Sequence, residues 1–298
     1  MIVSRVFAGV NVNALKFLLP LWLVPAVGVA IRLVFGAAAF WIISLFVREP
    51  SVTVRRRVQM LLLGAVGMFG YMYLYLTGVS KTTPVSSAIF NSLQPIWVFL
   101  FSAIFLSEKV SAKKVVGLLG GFIGALLCIF TQKGADVASD PLAGDLYNFA
   151  CSLLFAGYLL VSNKLLKSVG TITLMKYVFT GTAVPGVILA WCTPGHSALF
   201  THAATWQPIA ALAFILIFPT VLSYLLIPIG LKYLSTTVVS IYNYLMLVVT
   251  TVIALAVGQD HFSWTQLCAI LLIFGSVYLV EAAENDAHRL PLQAHGMN

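Results

Sequence analysis

Apolar residues run along this chain in long blocks separated by short polar stretches. The blocks cover Val24–Phe46, Val58–Thr77, Val85–Leu106, Val115–Phe130, Leu142–Val161, Ile172–Trp191, Ile209–Ile229, Thr236–Val257 and Thr265–Val280. Each lies near the ~20 residues that a helix needs to cross hydrocarbon, so the pattern predicts membrane-spanning helices. The blocks also repeat. The stretch from Gly78 to Ser111 is echoed from Gly230 to Ser263, a shift of 152 residues. That single shift sets Ile89 on Ile241, Phe90 on Tyr242, Asn91 on Asn243, Glu108 on Asp260, Ser111 on Ser263 and Phe122 on Phe274.

The first block also has a counterpart, since Arg32-Leu-Val-Phe35 echoes Lys176-Tyr-Val-Phe179, while Val3-Ser4 echoes Val161-Ser162. The symmetry therefore calls for one more span ahead of Val24, of which only the last turn, before Gly9, is expected in this chain. Either the start was placed late or the chain is truncated; the alternative is a nine-span protein with a short amphipathic start. The first is favoured, and the blocks are accordingly spans 2 to 10. The expected organisation is a first repeat over 1–130, a loop over 131–141, a second repeat over 142–284 and a polar tail over 285–298.

Composition agrees with the blocks. The chain has 298 residues, 60% of them hydrophobic and 9% charged, with mean hydropathy +1.00. A soluble domain carries roughly 25% charged residues, so this is a polytopic membrane protein. The net charge of +8 has no basic stripe or stacking motif beside it, which argues against nucleic acid. The four cysteines sit in apolar runs without CxxC spacing and read as small buried hydrophobes. Sorting loop cations by side gives eleven on one face (Arg48, Arg55, Arg56, Arg57, Lys109, Lys113, Lys114, Lys164, Lys167, Lys232, Arg289) and four on the other (Arg5, Lys16, Lys81, Lys133). The richer side is cytoplasmic by the positive-inside rule. Ten spans with both termini inside follow, in the plasma (inner) membrane, with the C-terminus cytoplasmic. Five spans per repeat is odd, so the halves insert in opposite directions, the plan of many secondary transporters. Helix breakers match too: Gly64, Gly67 and Gly70 punctuate span 3, and Pro219 of span 8 falls on Gly67 under the same shift. Such breaks are tolerated where protein or a cavity receives the freed backbone groups; close packing of glycines is the other reading of span 3.

The segment LSEKVSAKKVVGLLGGFIGALLC and the Arg32 of AIRLVF resemble the EamA repeat of the drug/metabolite transporter superfamily, in two tandem copies over nearly the whole chain. That pattern has a span ending in Leu-Gly-Glu, a basic hairpin and a Gly-rich span. Here Ser107 replaces the Gly, and Asp260-His261 stands where Glu-Lys is expected. The resemblance implies an all-α, ten-helix transporter that exchanges small metabolites by alternating access.

Polar side chains inside spans are costly, which makes them the default site candidates. Ser87, Asn91 and Gln94, at i, i+4 and i+7, form a stripe on span 4; Thr236, Ser240 and Asn243 form its counterpart on span 9. They are expected to line a cavity and bind substrate, the competing role being interhelical glue. Tyr71 and Tyr75 on span 3, and Tyr158 with Ser162 on span 6, offer aromatic walls or ordinary packing. Arg32, about eight residues into span 2, binds an anionic group, caps a neighbour or reaches headgroups; Lys176, nearer its span's start, snorkels. Glu108 and Asp260 are expected to be structural acids at helix starts, with Ser111 and Ser263 as N-caps. The overlapping GxxxG pairs Gly117/Gly121 and Gly120/Gly124 suit close packing within the chain or in a homodimer. No acid lies deep in a span and all histidines lie in loops or the tail, which argues against a carboxylate proton relay. The expected function is an exporter or exchanger of amino-acid-like or other small polar solutes, without a cofactor or metal. A structural or signalling subunit, or a membrane-embedded enzyme, are the alternatives; the enzyme lacks any HExxH, GxSxG or paired acids.

Overall fold

The structure, a computed structural model, describes residues 1–19, 21–47, 49, 51–106, 112–131, 138–193, 195, 197–200, 205–234, 239, 242–265, 267–276, 278, 279 and 282. These form helices α1 (Ile2–Leu18), α2 (Pro25–Phe46), α3 (Val54–Lys81), α4 (Pro84–Asn91), α5 (Gln94–Leu106), α6 (Ala112–Thr131), α7 (Pro141–Leu166), α8 (Thr171–Cys192), α9 (Trp206–Tyr233), α10 (Asn243–Val257) and α11 (Leu267–Ser276). Six segments are long and apolar enough to cross a membrane: α2, α3, Pro84–Phe101, α7, α8 and α9; α10 and α11 are shorter apolar helices. The protein is therefore all-helical and multi-pass, and no strand occurs among the described residues.

Local chemistry explains the helix starts. Thr83 and Asp140 are N-caps followed by Pro84 and Pro141, whose fixed φ suits the first helical position. The Thr83 hydroxyl accepts from Ser86 N at 3.2 Å, and Asp140 Oδ1 accepts from Ala143 N at 3.3 Å. At the other end of α10, Gly258 takes φ 71°, the left-handed turn that glycine adopts without penalty.

Three expectations change. First, helix α1 runs to Leu18 rather than ending before Gly9, so Arg5 and Lys16 are not loop cations but buried helical ones. Second, span 4 is not one helix: Ser92 and Leu93 form a turn between α4 and α5. Pro95 explains the break, because it has no N–H for the carbonyl of Asn91. Third, the glycines of span 3 and the Pro219 of span 8 do more than pack. Leu63–Met68 and Leu216–Leu222 are π-helical segments, and under the 152-residue shift they overlap. Such local widening is frequent at functional sites.

The helices pack in pairs that also follow the repeat. Helix α2 lies along α8, α3 along α7, α9 beside α1, and α4 against α10; α7 supports α4 and α5 as α1 supports α10. Helix α3 also meets α8, where Gly64 allows a close approach: a Cβ there would lie 2.0 Å from the carbonyl oxygen of Val178. Gly120 and Gly124 of α6 face Ser276 and Ile273 of α11, and Gly121 faces Ile96, so these glycines are used within the chain. Glu108, Ser111 and the tail lie outside the described residues, while Asp260 is buried and its carboxylate accepts from His261 N at 2.8 Å.

Candidate functional site

A cavity with many polar side chains lies where α1, α2, α3, α5, α7, α9 and α10 converge, with Asn91 at the α4 terminus. Six residues expected at the site line it: Arg32, Tyr71, Tyr75, Asn91, Gln94 and Asn243. Two do not. Ser87 is buried against α7, where its hydroxyl accepts from Asn148 Nδ2 at 2.9 Å. Tyr158 lies in an apolar groove between α3 and α7, its ring 5.6 Å from Phe155. Ser240 and Thr236 lie outside the described residues.

The break in span 4 builds the centre of the site. Asn91 Nδ2 donates to Ser87 O at 2.8 Å within its own helix. Its backbone carbonyl, which Pro95 leaves without a helical donor, accepts from Asn243 Nδ2 at 3.4 Å. The same Asn243 amide donates to Gln94 Oε1, and Gln94 Nε2 donates to Asn91 Oδ1 at 3.4 Å. The two asparagines paired by the repeat therefore meet, bridged by Gln94. The matching goes further. Under the 152-residue shift Tyr71 pairs with Ser223, Tyr75 with Ile227, Asn91 with Asn243 and Gln94 with Met246, and all eight line this one cavity.

One wall is aromatic. Tyr71 and Tyr75 stack at 5.9 Å between centroids, and Phe155 lies 4.4 Å from Tyr71. Tyr75 also accepts at its hydroxyl from Asn11 Nδ2 at 3.3 Å. Arginines face that wall from two helices. Arg32 Nε donates to Thr220 Oγ1 at 3.0 Å, and Thr220 sits in the π segment next to Pro219 and itself donates to Ile215 O at 2.8 Å. The helix distortion thus presents the hydroxyl that orients Arg32. Arg5 Nη2 donates to Val239 O at 3.2 Å. Both guanidiniums are buried, and Arg5 Nε and Arg32 Nη1 have no hydrogen-bond partner. A cation at mid-bilayer costs about 2.5–3.5 kcal/mol on insertion scales, and the ion pair found among the described residues, Lys81–Asp140, lies elsewhere. Lys176, by contrast, is outside the cavity with its ammonium 4.6 Å from the Trp41 ring, a cation–π contact.

Several residues were missed by sequence reasoning. Arg5 and Asn11 fell in a segment too polar to register as a span. Ser223 was legible as the repeat partner of Tyr71. A second missed group is Asp145, fully buried in the first turns of α7, whose Oδ1 accepts from Thr82 Oγ1 at 2.7 Å and Ser86 Oγ at 2.5 Å. It lies near the start of its block, so counting depth along the span overlooked it.

The comparisons with known proteins give the family. The profile of the EamA-like transporter family matches residues 1–130 and 142–282. The chain belongs to the EamA-like transporter family. The family model matches the chain twice, in two tandem segments. Among family relatives, the uncharacterized transporter YyaM of Bacillus subtilis is 27% identical over 274 residues, covering 91% of this chain and 88% of that one. The aromatic amino acid exporter YddG of Ancylobacter novellus is 22% identical over 213 residues, covering 71% and 72%. A protein of known crystal structure has the same fold, with TM-score 0.64 at 20% identity, covering 97% of this chain and 96% of its own. The chain is thus a multi-pass membrane transporter of the EamA-like family.

Proposed function

We propose that the protein is a secondary transporter that carries small polar organic metabolites across the plasma membrane by alternating access, as an exporter or exchanger. In this reading two five-helix repeats are inserted in opposite directions, α1 stands for the first helix, and the C-terminus is cytoplasmic. The matched lining carries the proposal: four pairs of positions, one from each repeat at the same register, meet on one cavity. Inverted-repeat transporters hold their substrates at this interface, between discontinuous helices. The turn at Ser92 and Leu93 and the two π segments supply such discontinuities.

The cavity volume of ≈ 40 Å³ has room for water but falls well short of the roughly 300 Å³ of a small-molecule site. A solute therefore enters only when the helices part, which suits an occluded stage of a gated cycle. Asn91, Gln94 and Asn243 are the polar contacts of the solute, and Tyr71 and Tyr75 its aromatic wall. The name of the Ancylobacter relative brings amino-acid-like solutes into the range to be tried.

Purified protein reconstituted into liposomes tests this. The vesicles are loaded with a mixture of amino acids, organic acids and amines, and the solutes released are identified by mass spectrometry. The wild type releases a defined subset faster than empty liposomes do. The double variant Asn91→Leu/Asn243→Leu, inserted to the same level, releases none. Release that survives the double substitution removes the site, and no release by the wild type removes the transporter reading.

A further inference from the structure

Resting on the transporter reading, we infer that the solute carries net negative charge: an organic acid, rather than a zwitterion or a cation. The inference concerns the charge balance of the cavity. Arg5 and Arg32 enter it from different helices, both are more than nine-tenths buried, and each keeps one nitrogen without a partner. Their existing acceptors, the Val239 carbonyl and the Thr220 hydroxyl, are neutral. Among the described residues no Asp or Glu lines the cavity. Two guanidiniums thus face a common space with nothing in its described lining to offset them, and buried cations strongly favour an anion that enters with matching hydrogen bonds.

The other polar groups fit the same class. Asn11 Oδ1 and Asn243 Oδ1 are buried acceptors without a donor, and both amide nitrogens are already engaged, with Tyr75 and with Gln94. A hydroxyl on the solute supplies the donor that one of these oxygens lacks. An ammonium meets these oxygens too, but it would sit beside two cations and leave the charge of the site uncompensated. The stacked tyrosines accept a ring or an aliphatic chain. A hydroxylated carboxylic acid brings a carboxylate to the guanidiniums, a hydroxyl donor to an amide oxygen and an apolar part to the wall, whereas an aromatic amino acid suits the wall but brings no net negative charge.

Two matched pairs of probes isolate charge from shape: malate against its uncharged diamide, and phenyllactate against phenylalanine, which differ by a hydroxyl in place of an ammonium. Each is loaded into the liposomes described above, and release is timed. The wild type is expected to release the anion of each pair roughly tenfold faster or more, the scale of one charge-assisted hydrogen bond. Arg5→Gln and Arg32→Gln each reduce that ratio, and Arg32→Lys, which keeps the charge, retains more of it than Arg32→Gln. Equal or faster release of phenylalanine and malamide overturns the charge assignment while leaving the transporter intact. Because the wild-type ratio needs no variant, a misfolded substitution does not shield the inference. Silence of the whole mixture is a different result, and it removes transport itself.

Discussion

At the scale of single residues, polar groups in this protein work by finding partners across helices. Lys16 of α1 donates to Thr82 O at 2.7 Å and Ser80 O at 3.3 Å, so a cation covers the carbonyl end of α3, where the helix dipole favours it. Beside it, Asp145 of α7 gathers the hydroxyls of Thr82 and Ser86 on one oxygen, while its Oδ2 has no partner. These contacts tie α1, α3, α4 and α7 together at one level. Asp145→Leu removes the shared acceptor and is expected to cost about 1–3 kcal/mol of stability, the usual scale for disrupting a buried hydrogen bond. Asp145→Asn keeps an acceptor oxygen and should cost less. Thermal unfolding of the purified protein in detergent, read by intrinsic fluorescence, ranks the two; equal midpoints would mean the hydroxyls do not depend on this carboxylate.

At the scale of elements, departures from regular helix do more than the regular turns. The π segment of α9 presents Thr220 to Arg32, and the Pro95 break presents the Asn91 carbonyl to Asn243. The π segment of α3 contains two glycines with different duties. A Cβ on Gly64 would meet the Val178 backbone at 2.0 Å, whereas one on Gly67 would meet first the flexible tip of Leu63 at 3.3 Å. Gly64→Ala therefore forces α3 and α8 apart and should destabilise by roughly 1–3 kcal/mol, as overpacking does. Gly67→Ala should be nearly neutral. Comparing the melting midpoints of the two variants separates backbone packing from general intolerance of the π segment.

At the scale of the whole molecule, α2 and α8 form an antiparallel pair with a connection at each end. The Glu49 carboxylate, just beyond α2, accepts from Ile172 N at 3.2 Å and Thr173 N at 2.6 Å at the start of α8. At the opposite end, the Ser197 hydroxyl, just beyond α8, accepts from Val24 N at 3.2 Å at the start of α2. Each helix thus has its N-terminus covered by the segment that leaves the other. The two ends should face opposite sides of the membrane, with the arginine-rich Glu49 end in the cytoplasm. In a background with the native cysteines replaced, Ser51→Cys should react with an impermeant maleimide only when the cytoplasmic face is exposed, and Thr193→Cys only from outside. Labelling of both from one side would invalidate the orientation.

The sequence by itself determined the all-helical class, most of the apolar blocks and the register that pairs Asn91 with Asn243, because a long apolar block and its period are local properties of the chain. The caps at Thr83-Pro84 and Asp140-Pro141 are local too, but the apolar blocks alone put these starts at Val85 and Leu142, and the structure identified the caps. Tertiary structure decided the rest of the site. Arg5, Asn11, Lys16 and Asp145 lie in stretches whose hydropathy is low or whose place is near a span's edge, and their burial depends on which helices surround them. The same holds in reverse for Ser87 and Tyr158, whose types suit a cavity but whose helix faces turn toward α7 and toward an apolar groove. A polar side chain's cost is set by its neighbours in space, and those neighbours exist only after the two repeats have packed.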